Sequence, residues 1–340
     1  MLIQQKEISE LISCSYHKIY EQFKKNCIKT YYLSIPTDVL NYLKQDLFIL
    51  PKECNLHTGL SSQTENTKFI GEASNFSDEE DDDDENVVPE FPEFSKQILE
   101  ILDKLGGSAF IKTNWHSPKD AFWITAGQTL KARDLSDVYQ LLKASSICKE
   151  DLNIVNVENF HQIVFKKWKE IHPGTEFRCF VRNKNLIAIS PRDWPQYHEH
   201  FKTQKNDIIK DIVSLFKEKI KNNFSIDSYC FDVLRETKDH VVIIDFSPFN
   251  EKFTAPLAFD WSYLHGDDII LSQNNDEEDD NPEFRYLANN DVGIQPNPRN
   301  NYGFPLDMIN WFKNNSNANE QIQNLSELSI QQQADDDDEQ

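Results

Sequence analysis

The segment YCFDVLRETKDHVVIIDFSPF, residues 229–249, constrains the fold more strongly than any other part of the sequence. Two apolar stretches flank a polar turn, which predicts a β-hairpin whose strands are both largely buried. Each strand nevertheless contains an aspartate. A loop centred between Lys238 and Asp239 pairs residues whose numbers sum to 477, so Asp232 is predicted to lie directly opposite Asp245.

Two facing carboxylates repel each other. With β-carbons about 5 Å apart and an effective dielectric near 20, the repulsion is about 3 kcal/mol. The hairpin places five further side chains on the same predicted face, none of them a cation: Cys230, Leu234, Val241, Ile243 and Ser247. The hairpin therefore favours a divalent metal between all-oxygen ligands, Mg²⁺ or Mn²⁺. A loop of odd length, or pairing of the acids with distant Lys or Arg residues, is the ordinary alternative.

The acidic residues are concentrated in three runs, at 78–85, 276–280 and 335–339. These runs hold eighteen acids, so the rest of the chain carries a formal charge of −4 out of the total of −22. Nucleic acids and anionic membranes select for clustered Lys and Arg, so neither is expected as a partner. The chain is expected to be a monomer apart from its client.

Six cysteines form no CxxC pair and no regular framework, which predicts reduced thiols and a cytoplasmic location. No stretch approaches the roughly 20 apolar residues that a membrane span requires. Both observations predict a soluble intracellular protein.

Helices and hairpins alternate without regular βαβ units, which predicts an α+β fold. An amphipathic helix from Ile8 to Phe23 opens the chain, and TYYLSIP reads as a strand. Further along, Ser95 is predicted to cap a helix that ends at Gly106. SAFIK and AFWI are predicted strands, and a long helix is predicted over about 207–221.

These elements predict four regions. Residues 1–51 form an N-terminal helix and strand that pack on the core, and residues 52–92 an acidic linker or long loop. The core covers 93–312, with one lobe over about 93–165, a second over about 166–312 and an acidic loop at 273–283. Residues 313–340 form a disordered low-complexity tail.

Basic side chains near the hairpin offer places for a polyphosphate. Lys112 ends a strand before a loop that contains Asn114, Trp115 and Ser117, while Lys166 and Lys167 adjoin Trp168. A three-residue loop at 183–185 would place Glu176 opposite Arg192, with Arg178 on the same hairpin. Such groups supply phosphate cations, a carboxylate for a ribose hydroxyl and an aromatic surface for a base. A solvated lysine, a core tryptophan or a surface ion pair would explain each one equally well.

No Walker A or GxGxxG pattern is present, and with nine glycines a phosphate loop built on backbone amides is not expected.

Three ordered blocks carry a family resemblance: FIKTNWHSPKDAFWI, KKWKEIHPGTEFRCFVRNKNLIAISPRDWPQYHEH, and YCFDVLRETKDHVVIIDFSPFNE with the later FDW. They resemble the cell division cycle protein 123 family. The resemblance implies an ATP-grasp fold, in which two α+β lobes close on ATP and magnesium. It also implies an assembly chaperone that binds the gamma subunit of eukaryotic translation initiation factor two and promotes its joining with the other subunits.

The resemblance also implies roles for residues at matching positions. Those along the phosphates would be Lys112, Asn114, Trp115 and Ser117. Those near the base and hinge would be Lys166, Lys167 and Trp168, and those at the ribose or phosphate Glu176, Arg178 and Arg192. Asp232 and Asp245 would hold magnesium. One position departs from the family pattern, because Ser247 stands where the family block IDFNPF has an asparagine whose carbonyl would ligate the metal. Ser247 is therefore the third expected metal ligand, with a shorter and weaker hydroxyl or a water in its place.

Two other functions remain open from the sequence. One is an ATP-grasp carboxylate–amine ligase, which would form an acyl phosphate for attack by an amine. The other is an acidic scaffold that shields basic clients through its Asp and Glu runs.

Overall fold

A computed structural model of the chain describes residues 5–56, 88–125, 127–155, 160–266 and 281–289. All three acidic runs and the predicted tail lie outside these residues. Two antiparallel-dominated sheets with helices on their faces make up the described part, so the α+β prediction is confirmed. No helix in the described ranges is both long and apolar enough to cross a membrane.

The first sheet has the strand order β1-β4-β2-β3. Its strands are β1 (Thr30–Ser34), β2 (Ala109–Lys112), β3 (Lys131–Ala132) and β4 (Gln162–Lys167). One face carries Ile111, Ile163 and Phe165 into a core formed with surrounding helices. These helices are α3 (Thr37–Lys44), α4 (Glu53–Leu56), α5 (Pro92–Lys104), α6 (Leu135–Ala144) and α7 (Ser146–Ile154). Side chains alternate along a strand, so Lys112 and Lys166 lie on the other face.

The second sheet has the order β8-β7-β5-β6-β9. Its strands are β5 (Glu176–Arg182), β6 (Asn185–Pro191), β7 (Tyr229–Thr237), β8 (His240–Pro248) and β9 (Glu283–Phe284). Helix α8 (His200–Leu215), extended by a π turn over Phe216–Ile220, buries one face. The other face is partly covered by residues 258–264, which include most of α9 (Trp261–His265).

An N-terminal helix pair lies between the two sheets. The predicted single helix is two helices, α1 (Gln5–Ser13) and α2 (Tyr16–Phe23), because Ser15 has extended backbone angles. The Tyr16 N–H donates to the Asn114 carbonyl beside the first sheet at 2.9 Å. On the second sheet, the rings of Phe23 and Phe246 stack with centroids 5.5 Å apart.

Two local predictions in the first half of the chain are wrong. AFWI belongs to a 3-10 helix, Lys119–Ile124, whose Asp120 carboxylate accepts hydrogen bonds from the Ser145 hydroxyl and the Ile147 N–H. Ser95 lies inside α5, where its hydroxyl is 2.9 Å from the Tyr139 hydroxyl. In both cases a contact far along the chain outweighs the local signal. Gly106 does follow the end of α5, as predicted, with φ of 91°.

Candidate functional site

The hairpin of β7 and β8 brings the two aspartates face to face. Asp232 pairs with Asp245, as predicted, around the two-residue turn at Lys238 and Asp239. The register between turn and aspartates is not the one expected, because two irregularities shift it by one residue and then restore it. Val241 and Ile243, which were predicted on the aspartate face, therefore pack with the core on the opposite face.

An arginine fills the space beside Asp232. Arg178 on β5 pairs directly with Asp232, and its Nε and Nη2 atoms each lie 2.9 Å from an Asp232 carboxylate oxygen. Arg192 approaches the same carboxylate, with Nε 3.4 Å from Oδ2. Burial raises the pKa of Asp232, but the two guanidinium groups outweigh burial and hold it below its ordinary value.

The prediction that no cation shares the aspartate face is therefore wrong. It rests on the two strands of one hairpin, whereas β7 is an interior strand that also pairs with β5 along its other edge. The facing carboxylates are neutralised by cations of the chain itself, so their proximity alone is no indication of a metal.

Asp245 is held from the first sheet. Lys112 forms an ion pair with its Oδ2 atom, and the Lys112 side chain is 2% exposed. Lys166 on the neighbouring strand donates to the Ile244 carbonyl at 2.5 Å. Burial lowers the pKa of Lys166 to about 7, although the nearby Asp245 opposes this shift. The two sheets thus meet through lysines of the first and the edge strand β8 of the second.

Glu176 and Arg192 adjoin this cluster at the start of β5 and the end of β6. The connecting turn has two residues, Asn183 and Lys184, with φ of 49° and 61°, instead of the three predicted. A bulge between Phe180 and Val181 compensates, so the Arg192 N–H donates to the Glu176 carbonyl at 2.9 Å. Burial raises the pKa of the Glu176 carboxyl, against the opposing effect of Arg192.

Comparison with known proteins places the chain in a family. The D123 family model matches residues 19–312. The chain belongs to the Cdc123 family. It is 36% identical over 311 residues to the "Translation initiation factor eIF2 assembly protein" of Xenopus tropicalis, covering 88% of this chain and 91% of that protein. It is also 33% identical to the "Cell division cycle protein 123" of Yarrowia lipolytica, over 75% of this chain and 67% of the relative.

The solved structure of Cdc123 from Schizosaccharomyces pombe is similar in fold. It superposes with a TM-score of 0.63 at 28% identity and covers 85% of this chain and all of that one. This match shows that the predicted α+β fold is the fold of Cdc123.

Some residues that the Cdc123 resemblance assigned to the phosphates serve the protein's own packing. The Asn114 amide donates to the Ser15 hydroxyl and the Phe160 carbonyl, and its oxygen accepts from the Gln162 N–H. Trp115 is 7% exposed and donates to the Leu11 carbonyl at 2.8 Å. Both hold α1 and α2 against the first sheet. Ser117, in the same loop, is half-buried.

The other assigned residues lie at the margins of the cluster. Lys167 follows Lys166, is exposed and points to the opposite side of the strand. Trp168 is half-buried, and its indole N–H donates to Glu170 at 2.7 Å. Ser247 pairs with Cys230 two residues beyond Asp245, on the aspartate face. Asn250 cannot replace the missing family asparagine there, because its amide group contacts Glu7 at 3.4 Å.

A metal ion would find only part of its ligand set ready. Within the described ranges, no three His, Cys, Asp or Glu side chains are close enough together to bind one. The Arg178 fork occupies both oxygens of Asp232. The available donors are carboxylate and hydroxyl oxygens, which suit Mg²⁺. A metal would fit here only if an anion drew the Arg178 and Lys112 side chains away from the two carboxylates.

Proposed function

We propose that this protein binds ATP and Mg²⁺ and acts in the cytoplasm as an assembly chaperone for eukaryotic translation initiation factor two. Its client is the gamma subunit. One observation carries the proposal: basic side chains from both sheets of a Cdc123-family fold converge with three carboxylates of the second sheet. The name of the Xenopus relative supports the biological role.

The balance of charge in the cluster favours a polyphosphate. Four basic residues meet three acidic ones, and burial raises the pKa of one of the acids, Glu176. The basic residues are Lys112, Lys166, Arg178 and Arg192. Arg178 and Arg192 present forked donors that match phosphate oxygens, and the lysines contribute point charges from the facing sheet. ATP would therefore contact both sheets at once.

Magnesium would be held by the carboxylates that the phosphates set free. Asp245 and Asp232 are the ligands expected from the resemblance, with the Ser247 hydroxyl or a water beyond them. When bound, the ion offsets phosphate charge that the protein's cations leave unbalanced. Glu176, at the start of β5, would accept a hydrogen bond from a ribose hydroxyl. Trp168, at the end of β4, would contact the base.

Binding without turnover is sufficient for such a chaperone. A ligand that prefers one conformation stabilises it by RT ln(1 + [L]/Kd), so ATP that bridges the sheets favours the form in which they are joined. The partner would recognise that form. No specific observation favours the ligase.

The function is tested with purified gamma subunit. Wild-type protein is expected to bind it more tightly with Mg-ATP than with Mg²⁺ alone, and an Arg178→Met variant is expected to lose that difference. A chain lacking residues 72–90 and 334–340 should still bind ATP. The scaffold would be favoured by equal binding to the gamma subunit with and without ATP. It would also be favoured if deleting the acidic runs abolished binding to the gamma subunit. Stoichiometric phosphate release with an added carboxylic acid would favour the ligase.

A further inference from the structure

Tyr16 occupies the seam between the sheets. It is the first residue of α2 and is fully buried. Its ring centroid lies 3.8 Å from the Lys166 ammonium and 5.2 Å from that of Lys112. The Tyr16 hydroxyl has a different neighbour, because it lies 3.4 Å from the Thr30 hydroxyl. The aromatic face, and not the hydroxyl, is thus the part of Tyr16 that meets the lysines.

The two lysines need such a contact. Lys112 and Lys166 lie diagonally on one face of neighbouring strands and are 2% and 3% exposed, so water does little to separate their charges. Lys112 pairs with the Asp245 carboxylate, whereas Lys166 donates to a backbone carbonyl, that of Ile244. An aromatic face attracts ammonium ions, and the attraction is larger where the ions are desolvated.

Asn114 and Tyr20 hold the Tyr16 side chain in place at the seam. Its backbone N–H is bonded to the Asn114 carbonyl, and the Tyr20 ring stacks against it with centroids 6.2 Å apart. The Asn114 side chain in turn holds Ser15, the residue before it. The ring cannot turn away from the lysines without disrupting this packing.

We propose that Tyr16 is a positioning residue for polyphosphate binding, whose aromatic face orients the Lys112 and Lys166 ammonium groups at the seam between the sheets. This inference rests on the proposed function, because the ligand that the lysines would meet is ATP. Neither the sequence motifs nor the family resemblance singles out Tyr16. Its only signal in the sequence is membership of the apolar stripe of the first helix.

The test measures Mg-ATP affinity by calorimetry in variants of the full-length chain. Tyr16→Phe keeps the aromatic face and should bind within about twofold of wild type. Tyr16→Leu removes it and should bind at least about tenfold more weakly. Tyr42→Leu is the matched control, since Tyr42 is a buried tyrosine in the core on the opposite face of the first sheet, and its ring centroid lies 4.4 Å from the ammonium of another lysine, Lys143. Its affinity should stay within about twofold of wild type.

Fluorination separates the aromatic face from packing if Tyr16→Leu does not fold. Site-specific introduction of phenylalanine, difluorophenylalanine and pentafluorophenylalanine at position 16 keeps the ring shape while it weakens the negative face. Affinity should fall stepwise along the series. A constant affinity in a protein that binds ATP would overturn the role of Tyr16 alone. Absence of ATP binding by wild type would overturn the proposed function, and this inference with it.

Discussion

At the scale of single residues, the contact between Arg178 and Asp232 determines whether the facing aspartates indicate a bound metal. Two aspartates in a buried hairpin suggest a missing cation, and the cation is present on the next strand. The pair is buried and bidentate, so each partner depends on the other for solvation. The Arg178 guanidinium therefore neutralises the Asp232 carboxylate, and no bound metal is needed to explain the facing aspartates.

Removing one partner of this pair should be costly. We expect Arg178→Met to lower the free energy of unfolding by about 3 kcal/mol, because it leaves a buried carboxylate without its partner. The double change Arg178→Met with Asp232→Met should recover most of that loss. Urea denaturation of the three proteins measures both effects. A loss below about 0.5 kcal/mol in the single variant would show that the pair is solvated in solution.

Lys166 gives the site a pH dependence of known sign. Its pKa falls from 10.5 to about 7 on folding, so between these values the unfolded chain binds more protons at this residue. The contribution of Lys166 to the free energy of unfolding should therefore rise with pH across this window. Wild type should gain stability relative to Lys166→Met between pH 7 and 9. A difference between the two proteins that is constant with pH would contradict the burial of this ammonium.

At the scale of elements, the sequence predicted pairing better than register. The facing of Asp232 and Asp245 was predicted correctly although the strand between them and the turn is irregular, because the two shifts cancel. The hairpin around Asn183 and Lys184 behaves in the same way, with a shorter turn and one bulge. Bulges leave no clear mark in hydrophobic patterning, so the positions of Val241 and Ile243 could not be predicted.

Contacts between distant elements explain the remaining differences. AFWI has the composition of a strand, but Asp120 ties the segment to α7 through Ser145 and Ile147. Arg178 was recognised as a candidate phosphate ligand, yet its partner became apparent only with the order of the strands. Tyr16 was recognised only as part of a helix. Local sequence therefore indicated most candidate residues, and the topology determines which of them touch.

The connection between the sheets contains a glycine that no other residue can replace without strain. Gly174 has φ of 75°, and a β-carbon there would lie 2.7 Å from His198 Cγ and 2.8 Å from His200 Cε1. Gly106, with φ of 91°, has nothing within 4 Å of the same position. Gly106→Ala should cost about 1 kcal/mol of stability through backbone strain alone. Gly174→Ala should cost at least about 2 kcal/mol, because steric overlap is added to strain. Equal losses in thermal unfolding would show that the two histidines move aside freely.

At the scale of the whole molecule, residues 5–26 contact both sheets. Helix α2 presents Tyr16 to the lysines of the first sheet and Phe23 to Phe246 of the second. A polyphosphate at the same seam would reinforce the junction that these helices begin. Under the proposed function, such a junction would let a nucleotide control partner binding without being consumed.

The most direct test of this account is the dependence of ATP affinity on Mg²⁺, measured by calorimetry in wild type and in Asp245→Asn. Asp207→Asn serves as the control, because the Asp207 side chain on α8 is 41% exposed and forms an ion pair with Lys238 at 3.2 Å. Wild type and the control should bind one ATP more tightly with Mg²⁺ than with a chelator, and Asp245→Asn should lose that advantage. An undiminished Mg²⁺ effect in Asp245→Asn, or no ATP binding by wild type, would contradict the account.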